Sequence, residues 1–213
     1  ELRPRQFVRG LFFRHNSRYL RGKLNCMKRV ISIFLCALLG VAAAAQVVPG
    51  VEVLRESGFD VLKGKRVGLL TNPSGVDREL RSTIDILYSA PEVDLRALFA
   101  PEHGVRGDVY AGGKVNSSKD GTTGLPVHSL YGSTRKPTPQ MLNGLDAVVY
   151  DIQDIGCRSY TFISTLGLVM EACGEMGIDV IVLDRPNPLG GRKIEGNIVE
   201  SGYESFISQI YGK

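Results

Sequence analysis

The stretch "LDAVVYDIQDIGCRSYTFISTLGLVMEACGEMGIDVIVLD", Leu145 to Asp184, decides the fold. It begins and ends with apolar runs of strand length, and a longer segment between them ends at Gly177, a residue that commonly stops a helix. The runs Ala147–Tyr150 and Val180–Leu183 are continuously apolar, which is typical of parallel strands covered on both faces. The stretch therefore predicts a strand, a helix and a second strand of a parallel sheet.

The same alternation continues on the N-terminal side. "KRVGLLT" (Lys65 to Thr71) and "DLRALFA" (Asp94 to Ala100) predict strands, and "STIDILYSA" between them predicts a helix with Ser82 as its N-cap. "LPVHSLYG" predicts a short edge strand because Pro126 has no N–H to donate, and Thr138-Pro139 predicts the start of a short helix. Strands that alternate with helices predict an α/β, doubly wound fold with a mostly parallel sheet.

The N-terminal region resembles a leader. "MKRVISIFLCALLGVAAAAQ" has a basic start, an apolar run and small residues before Gln46, so we expect residues 27–45 to be a signal peptide. Its uncharged run of 16 residues is shorter than the roughly 20 of a membrane span, although a retained anchor is the alternative. We expect residues 1–26, with seven basic residues and one acid, to be upstream sequence translated by mistake; the alternative is a genuine basic arm.

This division predicts an exported protein, periplasmic or extracellular, with no membrane association after cleavage. The whole chain has a net charge of +4 from 26 basic and 22 acidic residues. Residues 1–45 hold nine basic residues and one acid, so residues 46–213 hold 17 and 21, a net charge of −4. The expected mature part therefore gives no indication of a nucleic-acid partner. Its oligomeric state stays open.

Polar side chains collect in the loops after the predicted strands, namely "TNPSG", "APEHGVRG", "DIQDIGCRSY" and "DRPNPLGG". Open α/β sheets bind ligands outside the carboxyl ends of their strands. Each residue also has a structural explanation, such as a loop salt bridge or a side-chain turn. The candidate site residues are Asn72, Glu102, His103, Arg106, Asp151, Gln153, Asp154, Arg158, Tyr160, Asp184, Arg185 and Asn187.

Several chemistries are not indicated. The sequence has no GxGxxG after the first strand, no Walker lysine pattern, no GxSxG and no HExxH. Residues 46–213 contain only His103 and His128, so we expect no zinc site, no other metal and no cofactor. Asp151 and Asp154 could hold Mg²⁺ or Ca²⁺, which keeps a metal-dependent hydrolase as one alternative. Carboxylate acid/base chemistry supported by Arg and His is the main hypothesis.

Six blocks in order carry a family resemblance: "LLTNPSGVD", "PEHGVRGD", "GLPVHSLYG", "KPTPQML", "DIQDIGCRSYTFISTL" and "DRPNPLGG". From about Lys63 to Phe206 the chain resembles the bacterial exo-β-N-acetylmuramidases (NamZ-type). The resemblance implies an exported glycosidase of cell-wall turnover and recycling, which removes terminal β-1,4-linked N-acetylmuramic acid from the non-reducing end of peptidoglycan fragments. It also implies an N-terminal Rossmann-like domain, here residues 46–213, and a smaller C-terminal domain. Because the family pattern continues past this chain, we expect that smaller domain to be missing and half a cleft to bind substrate poorly.

The resemblance places the family's catalytic glutamate on Glu102, expected to be a general acid whose pKa is raised by partial desolvation. His103 and Arg106 are expected to position Glu102 and the sugar. The second catalytic group is Asp151, Asp154 or the substrate's acetamido group, and retention or inversion stays open.

An arginine is the natural reader of the lactyl carboxylate that distinguishes muramic acid from glucosamine. Arg106, Arg158 and Arg185 are the candidates, and Arg158 is favoured. A periplasmic amino-sugar-binding module without catalysis is the further alternative to an enzyme.

Overall fold

The computed structural model describes residues 27–32, 47–110, 112–113 and 115–208. The chain divides into two units, Glu1–Gln46 and Val47–Lys213, and the sheet lies in the second. The predicted upstream segment and most of the predicted signal peptide lie outside the described residues. Within those residues, no helix combines the length and apolar character needed to cross a bilayer.

A six-stranded sheet forms the centre of the second unit, in the order β3-β4-β2-β1-β5-β6. β3 runs antiparallel to β4, and the other neighbouring pairs are parallel. The strands are β1 (Arg66–Thr71), β2 (Asp94–Ala100), β3 (Ser118–Lys119), β4 (Pro126–Ser129), β5 (Ala147–Asp151) and β6 (Asp179–Val182). The helices are α1 (Gly50–Glu56), α2 (Thr83–Ser89), α3 (Pro139–Leu142) and α4 (Phe162–Met176), with a 3₁₀ turn at Asp60–Leu62. The predicted α/β fold with a mostly parallel sheet is confirmed.

Two hydrophobic clusters cover the two faces of the sheet. Leu69 of β1 packs in one cluster with Ile84 of α2, whereas the next residue, Leu70, packs in the other with Val169 of α4. Successive strand residues point to opposite faces, so a strand covered on both sides has to be apolar throughout. β5 fits this pattern, because all of its residues are buried.

The predicted helix ends are confirmed. Ser82 caps α2 by accepting a hydrogen bond from the N–H of Ile84 at 3.2 Å. Thr138 caps α3, and Pro139 occupies its first turn. Gly177 ends α4 in the left-handed conformation, with φ 66°. These local signals are visible in sequence because each depends on residues adjacent along the chain.

Two predictions about strands are wrong. β4 is not an edge strand, since the two-residue β3 pairs outside it; Pro126 is the first residue of β4, where a missing N–H costs little. β6 is not covered on both faces, and Val182 is 50% exposed. β6 is the last strand of the sheet and pairs only with β5, so its outer side receives less cover.

The loop after β1 packs tightly against the end of β5. A Cβ at Gly75 would lie 2.1 Å from Thr71 Oγ1 and 2.8 Å from the carbonyl oxygen of Asp151. Only glycine allows this close approach. The "TNPSG" loop and the carboxyl end of β5 therefore form one compact edge of the sheet.

Candidate active site

Glu102 lies directly after β2 and is held by donors from three other segments. Its Oε1 accepts hydrogen bonds from the backbone N–H of Gly112 at 3.1 Å and from the hydroxyl of Tyr131 at 2.9 Å. Its Oε2 accepts from Thr161 Oγ1 at 3.0 Å. Tyr131 follows β4 and Thr161 precedes α4, so the strand-end edge of the sheet converges on one half-buried carboxylate.

The ionised form of this carboxylate is favoured. Burial acts to raise the pKa of Glu102, but the hydrogen bonds from Gly112, Tyr131 and Thr161 and the nearby His103 outweigh it and lower that pKa. The N-terminus of α4 adds partial positive charge on the same side. The expectation of a raised pKa is therefore wrong for the ligand-free protein, because the donors were not visible in the sequence.

Tyr131 and Thr161 were missed as site residues. Tyr131 lies in the block "GLPVHSLYG", directly beyond the end of β4. Because ligands bind outside the carboxyl ends of parallel strands, this position is a signal that could have identified Tyr131. Thr161 is 6% exposed. Its hydroxyl donates to Glu102 and makes no capping hydrogen bond to α4. Burial raises the pKa of the Tyr131 hydroxyl, and the hydrogen bond to Glu102 and the charge of Glu102 raise it further, so the hydroxyl stays a donor.

His103 has a structural role beside Glu102. Its backbone is left-handed, with φ 73°, and its Nδ1 lies 3.2 Å from the carbonyl oxygen of Val109. A non-glycine residue with positive φ needs such support from its surroundings. His103 therefore helps to turn the chain after Glu102 back on itself.

Arg106 does not face Glu102, which corrects its predicted role. Its Nε donates to Asp120 Oδ1 at 2.9 Å, and its Nη2 donates to Asp85 Oδ1 at 2.9 Å. These bonds raise the pKa of Arg106, and they lower the pKa of Asp120 well below its usual range. Both ends of the guanidinium fork are occupied, so Arg106 ties the loop after β2 to α2 and to the end of β3.

Asp151 and Arg185 form a buried ion pair, which corrects their predicted roles as catalytic and sugar-binding residues. Arg185 Nε donates to Oδ1 at 2.6 Å and Nη2 donates to Oδ2 at 2.9 Å. Thr83 Oγ1 also donates to Oδ2. Asp151 is fully buried, and these donors leave its carboxylate no open side for a sugar or for a cation such as Mg²⁺.

Four predicted site residues order the strand-end loops. Asn72, Asp154 and Asn187 each accept, through Oδ1, a backbone N–H two residues further along the chain, at 2.9, 2.7 and 2.9 Å. Gln153 Nε2 donates to the carbonyl of Pro186 at 2.9 Å and links the loops after β5 and β6. Asx turns of this kind are a common way in which short polar side chains order a loop.

The remaining predicted residues lie nearer the surface. Arg158 donates through Nη1 to the carbonyl of Asn197 at 2.5 Å. Tyr160 is 45% exposed and packs its ring 6.3 Å from that of Phe162, directly before the Thr161 that contacts Glu102. Asp184 is exposed, and its backbone carbonyl accepts from the N–H of Gly50 at 2.9 Å.

Known proteins that are similar to this chain identify its family. Residues 67–211 match the family described as "Exo-beta-N-acetylmuramidase NamZ, N-terminal". The chain belongs to the NamZ family. The peptidoglycan beta-N-acetylmuramidase NamZ of Bacillus subtilis (strain 168) is 49% identical over 197 residues, which cover 85% of this chain and 48% of that protein. The chain thus spans about half the length of that relative, and it is homologous to a glycosidase.

Two solved structures of the same fold are DUF1343 family proteins of Bacteroides fragilis. One is 64% identical with a TM-score of 0.71, over 76% of this chain and 40% of its own. The other is 32% identical with a TM-score of 0.65, over 78% of this chain and 42% of its own. The α/β domain described here is therefore the N-terminal fold of the NamZ family.

The NamZ site presents one fixed carboxylate at the edge of the sheet. Glycosidic cleavage needs a group to move a proton and a group to face the positive charge that develops on the sugar. Glu102 meets the geometric requirement for either role, because its donors fix both oxygens. Among the described residues no metal-binding group of three His, Cys, Asp or Glu side chains occurs.

Proposed function

We propose that this chain carries the catalytic carboxylate of an exo-acting β-N-acetylmuramidase. The proposed reaction releases terminal β-1,4-linked N-acetylmuramic acid from the non-reducing end of peptidoglycan fragments, outside the cytoplasm, during turnover and recycling of the cell wall. Family membership and the N-acetylmuramidase activity of the Bacillus subtilis relative support this assignment. The observation that carries it is Glu102, held by three converging donors where parallel strands end.

The proposed role of Glu102 has two stages. In the ligand-free site the pKa of Glu102 is lowered, so the carboxylate is ionised near neutral pH. A sugar that enters the site excludes water, which removes solvation from the carboxylate and raises its pKa. Glu102 then takes up a proton from solvent as the sugar binds, and it passes that proton to the leaving oxygen. The second group is Asp154, half-buried in the loop after β5, or the acetamido group of the substrate itself.

The function is tested by incubating the chain with two disaccharides that differ only in the lactyl ether. We expect release of muramic acid from MurNAc-β-1,4-GlcNAc and far slower cleavage of GlcNAc-β-1,4-GlcNAc, measured by chromatography of the products. Binding of the muramyl disaccharide without release would support a sugar-binding module instead. Equal cleavage of both would contradict the proposed specificity.

Removal of the Tyr131 hydroxyl is expected to move the pH profile of the reaction. Tyr131→Phe takes away a donor that favours ionised Glu102, so the pKa of Glu102 rises. If Glu102 gives the proton, activity is lost as pH rises through its pKa, so the upper limb of the profile moves to higher pH. If Glu102 instead acts in its ionised form, activity is lost as pH falls through its pKa, so the lower limb of the profile moves to higher pH. The pH dependence of kcat/KM distinguishes the two.

Two further variants serve as controls for this shift. Thr161→Val removes the donor to the other oxygen and should move the same limb in the same direction. Tyr88→Phe removes an exposed hydroxyl from α2 and should leave both limbs in place. Unchanged limbs in Tyr131→Phe and Thr161→Val would show that Glu102 does not control the profile.

A further inference from the structure

We propose that Arg135 binds the lactyl carboxylate of N-acetylmuramic acid and thereby sets the specificity of the Glu102 site. This inference deepens the function proposed above and rests on it. It replaces the sequence-based preference for Arg158 as the residue that recognises this anion.

Arg135 lies at the end of a row of side chains that begins at Glu102. Tyr131 donates its hydroxyl to Glu102, and its ring centroid lies 6.4 Å from that of Phe206. The Arg135 Cζ lies over the Phe206 ring, 4.3 Å from its centroid. The charge of Arg135 also acts to lower the pKa of the Tyr131 hydroxyl, which places the guanidinium within electrostatic reach of that group. A carboxylate and a cation therefore lie at opposite ends of an aromatic surface.

Two of the three candidates named from sequence are already paired with carboxylates. Arg106 donates to Asp85 and Asp120, and Arg185 donates to Asp151. Arg158 pairs with no carboxylate among the described residues, but its Nη1 donates to the backbone carbonyl of Asn197, and none of its described hydrogen bonds reaches Glu102 or the donors of Glu102. Across residues 47–110, 112–113 and 115–208, Arg135 has no carboxylate within ion-pair distance. A guanidinium stacked on a ring keeps its N–H edge for a forked bond to a carboxylate.

The chemistry of the sugar matches the two ends of this row. In N-acetylmuramic acid the scissile bond leaves C1, while the lactyl ether is attached to C3 of the same ring. A pyranose lying along Phe206 and Tyr131 would present C1 toward Glu102 and the lactyl carboxylate toward Arg135. N-acetylglucosamine lacks that carboxylate, so Arg135 contributes nothing to its binding. A forked contact of this kind is made with one of the two sugars and not with the other, so it discriminates between them.

The test compares the affinities of two disaccharides, MurNAc-β-1,4-GlcNAc and GlcNAc-β-1,4-GlcNAc, by calorimetry. All chains carry Glu102→Gln, so that neither ligand is cleaved. Arg135→Gln is expected to weaken binding of the muramyl disaccharide about 10- to 100-fold and to leave the other unchanged. Arg135→Lys keeps the charge without the fork and should give an intermediate loss. The preference should also shrink at high salt.

Lys136→Gln is the matched control. It removes the same charge one position further on, but Lys136 already pairs with Glu171 and Glu175 of α4, at 3.3 and 2.7 Å. We expect its affinity ratio for the two sugars to equal that of the parent. The ratio separates recognition from a structural role, because an arginine that only supports Phe206 would affect both sugars alike.

Four outcomes would overturn the inference. Arg135→Gln that weakens both disaccharides equally would assign Arg135 to packing against Phe206, and Arg135→Gln that changes neither affinity would place the anion contact elsewhere. A parent chain that binds both disaccharides with the same affinity would overturn this inference and leave the proposed reaction standing. A parent chain that binds neither would contradict the proposed function as well.

Discussion

Glu102→Gln is expected to reduce release of muramic acid from MurNAc-β-1,4-GlcNAc by about 10²- to 10⁴-fold. Glutamine keeps the size of the side chain and an oxygen that accepts from Gly112 and Tyr131. It removes the charge and the exchangeable carboxyl proton. The loss should therefore appear in kcat while affinity for the disaccharide stays close to that of the parent.

The control for this variant lies at the other end of the same strand. Asp94 begins β2, 47% exposed, and pairs with Arg96 on the surface. Asp94→Asn removes one carboxylate from β2 without touching the site, and its release rate should equal that of the parent. A Glu102→Gln chain that releases muramic acid as fast as Asp94→Asn would place the catalytic carboxylate elsewhere, with Asp154 the next candidate to replace.

The fold could be predicted because its signals are local. Continuous apolar runs identified β1, β5 and β6, and Ser82 and Gly177 marked helix ends through bonds to residues close along the chain. β3 was not predicted, because its two polar residues, Ser118 and Lys119, are too few to show the alternation of apolar and polar residues that indicates a strand. It forms by pairing with β4, which a local pattern does not encode.

The site was predicted only in part, since its contacts join distant residues. The resemblance identified Glu102, but its partners Tyr131 and Thr161 lie 29 and 59 positions away. The sequence placed Asp151 and Arg185 at strand ends without showing that they meet each other across 34 positions. The position at the carboxyl end of a strand identifies polar residues that could contact a ligand. Ion pairs and hydrogen bonds between distant side chains then decide which of those residues remain free to do so.

Asp151→Ala is expected to cost about 3–5 kcal/mol of unfolding free energy, the largest stability effect in the chain that we predict. Its partner Arg185 is 8% exposed and Asp151 is 0% exposed, so the variant leaves a buried guanidinium without its bidentate acceptor. Thr83, also buried, loses its acceptor too. Urea unfolding followed by circular dichroism measures the loss.

Asp146→Ala is the matched comparison at the opposite end of β5. Asp146 makes an equally forked pair with Arg66, but the two side chains are 39% and 50% exposed, and surface pairs contribute about 0–1 kcal/mol.

If Asp151→Ala does not fold, Thr83→Val removes one donor to the same carboxylate and should cost about 1–3 kcal/mol. The double variant Asp151→Ala/Arg185→Met should be less destabilised than the sum of its single variants, because it leaves no unpaired charge. Equal losses in Asp146→Ala and Asp151→Ala would contradict the prediction, because they would mean that burial does not govern the strength of these pairs.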